Sequence, residues 1–329
     1  MRRSSIYGTE DRIVLQMGSK FLLIGFSNEM IPRAMVPAPE TPEALVDDPK
    51  TRKVILVESV DWSVKRKREV VSVLFSPRLQ VQSISFINSD ILALAATGKG
   101  TGLVLDIGHS GTSCVPVYDH RPLISQSEWC SIGGRSIENH TRDLLAEQQV
   151  DPAKLTKDVI EDVIVRYGYV YGKPEDPGVI TTYSGYGVEF SFESEMCARI
   201  YDPLFIPDSD MKTIANRIVS CVRHCPIDIR RAISSNVVFV GGLSMVYGVR
   251  SRIVEQVNEE LGLDFVPVPC AFKPNIAAWV GGSLFGAVRA SSKFEILRAN
   301  YSEDPRIPDW SILNVSCAES LEEERKLER

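Results

Sequence analysis

Apolar residues occur along this chain in short runs that predict strands and in longer runs with helical spacing, which together favour an α/β protein. The stretches Arg12 to Phe26 and Leu103 to Tyr118 each hold two apolar segments joined by a glycine-containing turn. Each stretch therefore predicts a β-hairpin. The uninterrupted apolar run from Leu103 to Leu105 is typical of a strand that is buried on both faces, and Lys53 to Glu58 predicts another such strand.

Between these strands the apolar spacing predicts helices, and a proline-rich stretch predicts an irregular connector. Five prolines between Ile31 and Pro49 exclude regular helix or central strand there. The predicted helical segments are Ser63 to Phe75, Ile84 to Ala96, Ile132 to Glu147, Lys154 to Tyr169, Met211 to His224 and Asp228 to Ser234. Tyr171 to Gly187 is rich in glycine, proline and tyrosine, which predicts loops and a short hairpin.

Two Gly-Gly pairs follow apolar runs in the second half of the chain. Asn236 to Tyr247 predicts a buried strand that enters a Gly-Gly turn before a helix from Arg250 to Leu261. Ala277 to Val288 repeats that pattern with a second Gly-Gly pair. A strand, Gly-Gly turn and helix in succession form a phosphate- or ribose-side turn in many α/β folds, although Gly-Gly also serves close packing.

The second hairpin carries the clearest candidate chemistry. Asp106 ends its first strand, where a carboxylate can hold a hydrated divalent cation. Gly108 and Gly111 allow the turn to bring backbone N–H groups close to an anion. A β-hairpin with an Asp and two glycines in its turn is nevertheless more often only a hairpin.

Composition narrows the class of protein. With 329 residues, two domains or one domain with a cleft are expected. The net charge of -6 disfavours a nucleic-acid binder. Seven scattered cysteines and four histidines favour buried free thiols, for example at Cys221 and Cys225, over a metal framework. The odd cysteine count and the lack of a recognisable signal peptide indicate a reducing compartment, cytosolic or nuclear.

In this order, the two hairpins, the strand with its Gly-Gly and Met245, and the segment Trp279 to Ser283 resemble the actin family. Pro32-Arg33-Ala34 after the first hairpin and the CPIDIR sequence from Cys225 to Arg230 add to the resemblance. The RIPDW sequence from Arg306 to Trp310 is similar to the actin-related subunits at the pointed end of dynactin. The resemblance implies an actin-like α/β fold with two domains around a cleft. The outer domain would contain residues 1–96 and 277–329, and the inner domain residues 97–276.

The sequence departs from the family at the positions that the resemblance assigns to ATP. Gln16 and Leu23 stand where the first hairpin has an Asp and a Lys, and Ser89 stands where a Gln orients water. The remaining departures are His109 and Ser113 in the second hairpin and, around the adenine, Ile164, Val165, Val246 and Asn275. We therefore expect no catalytic residues and no metal ligands. The residual nucleotide-cleft residues are Gly18, Asp106, Gly108, Gly241 and Gly242. No cofactor is expected, and a retained one would be trapped ATP or ADP with magnesium.

A second departure is a deletion, because the proline-rich connector from Val36 to Arg52 replaces the small pointed-end subdomain of the family. The resemblance thus implies a non-catalytic structural subunit, a pseudo-ATPase, that caps the pointed end of dynactin's actin-related filament. Its partners would be the filament subunits and other pointed-end subunits, with no nucleic acid and no membrane insertion. It would be cytoplasmic and would act in dynein-driven, microtubule-based transport. The alternatives are an active actin-superfamily ATPase and a nuclear chromatin-remodelling actin-related protein. For the nuclear alternative, the basic run Lys65 to Arg68 would be a nuclear signal. A solvated helix face is the simpler interpretation of that run.

Overall fold

Two β-sheets with helices between and around them organise the chain in the computed structural model. The structure describes residues 12–38, 52–171, 178–262, 264–288, 295–301 and 307. The described strands are β1 (Ile13–Met17), β2 (Phe21–Phe26), β3 (Ala34–Pro37), β4 (Lys53–Glu58), β5 (Ser83–Asn88), β6 (Gly102–Ile107), β7 (Thr112–Tyr118), β8 (Arg121–Pro122), β9 (Glu128–Cys130), β10 (Ile180–Gly185), β11 (Val188–Glu193), β12 (Val237–Val240) and β13 (Glu295–Leu297). The described α-helices are α1 (Val64–Leu74), α2 (Ser89–Ala95), α3 (Gly134–Glu147), α4 (Lys157–Tyr167), α5 (Met196–Arg199), α6 (Ile214–His224), α7 (Ile227–Ser234), α8 (Val249–Leu261) and α9 (Ala277–Gly286).

The first sheet has the strand order β13-β5-β4-β1-β2-β3, with β1, β4 and β5 parallel to one another. Strands β1, β2 and β4 carry buried apolar residues on both faces because each face is covered. Ile13 and Leu15 of β1 pack with Trp62 and with Val71 of α1, whereas Val14 faces α9. We call this sheet, together with α1, the first lobe.

The second sheet has the strand order β12-β6-β7-β8, and β9 pairs with β7. Leu103 and Leu105 of β6 belong to a core that includes residues of α3, α4, α6 and α8. Val104 of β6 points to the other face, toward the first lobe. We call this sheet with those helices the second lobe, to which the separate hairpin β10–β11 also packs through Tyr183 and Phe192.

Helices α2 and α9 lie between the lobes and contribute to the apolar core that both sheets share. The indole Nε1 of Trp279 in α9 donates a hydrogen bond to the carbonyl oxygen of Val14 at 3.0 Å, and Trp279 is completely buried. This shared core fixes the base of the cleft described below.

Most of the predicted elements are confirmed, including both hairpins, the strand at Lys53–Glu58 and the strand and helix on either side of Gly241-Gly242. Two predictions were wrong. Ile84 to Ala96 is not one helix, because the first part forms β5, all of whose residues are buried, and α2 begins only at Ser89. The side chain of Asn88 accepts hydrogen bonds from the N–H groups of Asp90 and Ile91, both at 3.0 Å, which starts the helix there.

The second Gly-Gly pair does not form a turn after a strand, because Gly281 and Gly282 lie inside helix α9. A Cβ atom on Gly281 would lie 2.1 Å from the carbonyl oxygen of Leu92 in α2. The glycines therefore serve the close approach of the two helices.

A smaller difference concerns α4, which begins at Lys157 after the cap Thr156 rather than at Lys154.

The connector from Val36 to Arg52 lies outside the described residues between 39 and 51, so the predicted deletion stays a prediction. The sequence RIPDW also lies outside them, apart from Ile307. Cys221 and Cys225 are buried free thiols, as expected. No helix in the described part of the chain is both long and apolar enough to cross a membrane.

Candidate functional site

A cleft of about 1640 Å³ opens between the two lobes. The turn between β1 and β2, the turn between β6 and β7 and the Gly-Gly turn after β12 all reach it. Each of the five residues predicted for a residual nucleotide cleft lines it: Gly18, Asp106, Gly108, Gly241 and Gly242. Strand pairing explains the convergence, because β6 lies beside β12 with Asp106 in register with Val240, the residue before Gly241.

Gly241 is required by its backbone and by its neighbour. Its φ is +86°, which side-chain-bearing residues rarely adopt, and an added Cβ would lie 2.4 Å from Oδ1 of Asp106. The absence of a side chain therefore lets the Gly-Gly turn pass directly over the Asp106 carboxylate.

The turn of the second hairpin is tied to the start of α3. The N–H of Gly134 donates to the carbonyl oxygen of Gly108 at 3.0 Å, and the N–H of Arg135 donates to that of His109 at 2.8 Å. Within the turn, the N–H of Gly108 donates to the carbonyl oxygen of Gly111 at 2.9 Å. These donors would otherwise be free to bind an anion, and here they bind the turn itself.

The base of the cleft is acidic. The carboxyl of Asp106 lies partly open to the cleft, yet burial and, after it, the nearby Asp61 raise its pKa to about 6. Asp90, at the start of α2, is only 3% exposed, and one of its carboxyl oxygens has no hydrogen-bond partner. Burial, followed by the charge of Asp106, raises the pKa of Asp90 to about 7.

The positions at which the sequence departs from the actin pattern all face this cleft. The lining includes Gln16, Leu23, Ser89, His109, Ser113, Ile164, Val165, Val246 and Asn275. Gln16 and Leu23 are cross-strand partners in the β1–β2 hairpin. Leu23 is only 4% exposed and belongs to the interlobe core, so its side chain contributes to packing. Burial lowers the pKa of His109, which favours its neutral form at neutral pH.

Lys20 is a cleft residue that the sequence did not single out. It stands in the turn between β1 and β2, and its Nζ lies 2.9 Å from Oε1 of Glu161 and 3.3 Å from Oε1 of Glu138. Both carboxylates belong to the second lobe, Glu138 to α3 and Glu161 to α4. The only signal in the sequence was a charged residue in the short turn between Ser19 and Phe21.

These residues do not fit magnesium-bound ATP held by side-chain charges in the manner that the family pattern implies. The cation in the first turn already contacts two carboxylates, and Leu23 offers no charge to a phosphate. Glu138 and Glu161 would instead repel a polyphosphate. No group of three or more His, Cys, Asp or Glu side chains suited to a metal ion occurs among the described residues.

Comparison with known families agrees with the architecture. The sequence model of the actin family matches this chain in two segments, residues 40–189 and 188–307, which together cover most of its length. The matched residues include the second hairpin, the Gly-Gly turn and helix α9. The first hairpin lies before the matched residues. In the structure it joins the same sheet as the matched strand β4, because β1 pairs with β4. The chain has an actin-like α/β fold and belongs to the actin family.

Proposed function

We propose that this protein is a non-catalytic structural member of the actin family that caps the pointed end of the actin-related filament of dynactin. In that position it would dock other pointed-end subunits and support dynein-driven transport in the cytoplasm. Membership in the family provides the filament-binding scaffold. The capping role rests on the features argued below.

The chemistry of the cleft is the observation that carries the non-catalytic part of the proposal. Attack of water on a phosphate needs groups that orient the water and accept its proton, and such groups typically contribute about 10² to 10⁴ in rate. Ser89 and Ser113 line the cleft at the positions where the family pattern implies these groups. Neither hydroxyl is an effective base at neutral pH. An active ATPase is therefore the weaker alternative.

The dynactin part of the proposal rests on sequence features. CPIDIR runs from the end of α6 into α7, and Nε of Arg230 donates to the carbonyl oxygen of Cys225 at 2.8 Å. RIPDW and the shortened connector after β3 supply the rest of the resemblance. A subunit that keeps one filament-facing end and lacks the grip at the other would stop growth after one step of association.

The nuclear alternative has less support from the structure of α1. Lys67, in the middle of the basic run Lys65 to Arg68, is completely buried against Glu58. Lys65, Arg66 and Arg68 remain exposed on the folded helix. A linear nuclear signal needs its basic side chains to be accessible together, and the fold removes the central one.

Three experiments test the proposal. Affinity purification of the tagged protein from its source, followed by mass spectrometry, should recover dynactin subunits, and recovery of chromatin remodellers instead would contradict it. Purified protein added to actin-related filaments should stop growth at the pointed end. Growth at the barbed end of the same filaments is the internal control. The isolated protein should form no filaments under actin-assembly conditions, and filaments seen by electron microscopy would overturn the capping mechanism.

A further inference from the structure

We propose that Lys20 acts as an interlobe clasp, in which its ammonium group binds Glu138 and Glu161 across the cleft and holds the two lobes together without a nucleotide. This inference rests on the proposal that the protein does not turn over ATP. It assigns a role to three cleft residues that the sequence did not single out.

The geometry joins one lobe directly to the other. Lys20 belongs to the β1–β2 turn of the first lobe, and the N–H of Gly18 stabilises that turn by donating to the carbonyl oxygen of Phe21 at 2.9 Å. The two carboxylates stand on different helices of the second lobe, so the ammonium is held from two directions. The Lys20 and Glu138 side chains are 23% and 13% exposed, which limits screening by water, whereas Glu161 is 41% exposed.

The clasp is separate from the apolar connection between the lobes. That connection runs through α2 and α9 at the base of the cleft and consists of packed apolar side chains. A hinge with apolar packing at its base still allows the opposite walls to separate. A polar contact between the walls opposes that separation, and the Lys20 pairs make this contact.

The second-lobe side of the clasp differs in charge from that of a nucleotide-binding cleft. The resemblance to the actin family implies that phosphates between the two hairpin turns link the lobes by accepting hydrogen bonds from both. Here the first lobe supplies a cation and the second lobe supplies anions. His109 lies 3.6 Å from Glu138, but burial favours its neutral form, so Lys20 is the charged partner in direct contact with Glu138. A cation on one wall and carboxylates on the other attract each other with no ligand between them.

Hydrogen exchange of the intact protein, followed by mass spectrometry, tests the clasp. Lys20→Met removes the ammonium while keeping most of the length of the side chain. We expect exchange in peptides that cover Gly18 to Phe21 and the turn of α4 that follows Glu161 to become about two- to five-fold faster, because partly exposed ion pairs of this kind are worth about 0.5–1 kcal/mol. Lys99→Met is the matched control, since Lys99 is an exposed lysine in the loop between α2 and β6. It should leave exchange in those peptides unchanged.

Two further variants separate the charge of Lys20 from its packing. Lys20→Arg keeps the charge and should preserve the slow exchange of the native protein. Lys20→Glu places a third carboxylate beside Glu138 and Glu161 and should give faster exchange than Lys20→Met. Exchange in Lys20→Met that matches Lys99→Met would overturn the clasp, as would equal exchange in the Arg and Met variants. ATP turnover by the native protein would contradict the proposed function instead, so the two failures are distinguishable.

Discussion

The ammonium nitrogen of Lys67 lies 2.6 Å from a carboxylate oxygen of Glu58, and both side chains are completely buried. Glu58 ends β4 and Lys67 lies in α1, so the pair fixes that helix to the first sheet. Lys67→Met would leave the Glu58 carboxylate buried without its cation, which typically costs about 3–5 kcal/mol. We expect a large fall in the midpoint of urea unfolding.

Lys65→Met is the control for this prediction, because Lys65 is exposed on the same helix. Its effect should be within about 0.5 kcal/mol. Replacing both partners, Lys67→Met with Glu58→Leu, should recover much of the loss because both charges of the buried pair are then removed. A double variant as unstable as Lys67→Met alone would show that the pair is not the source of the effect.

The contact of α9 with α2 gives a second prediction. Gly281→Ala would force a methyl group to within 2.1 Å of the Leu92 carbonyl oxygen, so the helices must separate. Overpacking of this kind costs about 1–3 kcal/mol, and thermal unfolding should occur at a lower temperature. Gly242→Ala is the matched comparison, because its φ is an ordinary -64° and no atom lies within 4 Å of the added Cβ. Equal unfolding temperatures for the two variants would refute this explanation of the second Gly-Gly pair.

The two Gly-Gly pairs also show what the sequence could and could not predict. Both pairs follow apolar runs. What each glycine contacts, however, depends on a segment that lies far away in the sequence. Gly241 passes over Asp106, whereas Gly281 meets Leu92 of another helix. The run from Ile84 to Ala96 was misassigned for a related reason: α2 follows β5 directly, so Ile84, Ile87 and Ile91 recur at helical spacing across the boundary between the two elements.

The candidate site was predictable where a family pattern specified a position. All five predicted residues line one cleft, together with the nine substituted positions. Lys20 was missed because its significance comes from Glu138 and Glu161, which lie more than 110 residues away in sequence. A single sequence without related sequences does not reveal such a pairing.

Asp90 gives a prediction about pH. Its pKa is raised from 3.8 to about 7, first by burial and then by the charge of Asp106. The folded state therefore binds the proton more tightly than the unfolded state, so this contribution to stability is complete below about pH 4 and is lost as the pH rises to about 7. Asp90→Asn has no proton to lose, and its stability relative to the native protein should increase over that range.

Between pH 4 and pH 8, the free energy of unfolding of Asp90→Asn should increase relative to that of the native protein by on the order of 4 kcal/mol or less. Unfolding temperatures of both proteins at several pH values measure it. Asp119→Asn is the control, because Asp119 is exposed in the turn before β8 and should not alter the pH dependence. If the unfolding temperatures of the native protein and of Asp90→Asn changed in parallel with pH, Asp90 would not be protonated in the folded protein near neutral pH.

Nucleotide affinity is expected to be weak, and phosphate release by the purified protein should be far below that of conventional actin. Hydrogen bonds to charged groups contribute about 1.5–3 kcal/mol each, and Leu23, Val165 and Val246 can make none with their side chains. Several such losses reduce affinity by orders of magnitude even if they add only approximately.

Native protein should therefore yield little nucleotide when it is denatured and its extract is analysed by chromatography. Conventional actin processed in parallel provides the positive control. A stoichiometric yield of ATP or ADP would contradict the prediction, and backbone groups around Gly108 and the Gly241-Gly242 turn, with a cation held by Asp106, would then have to hold the nucleotide.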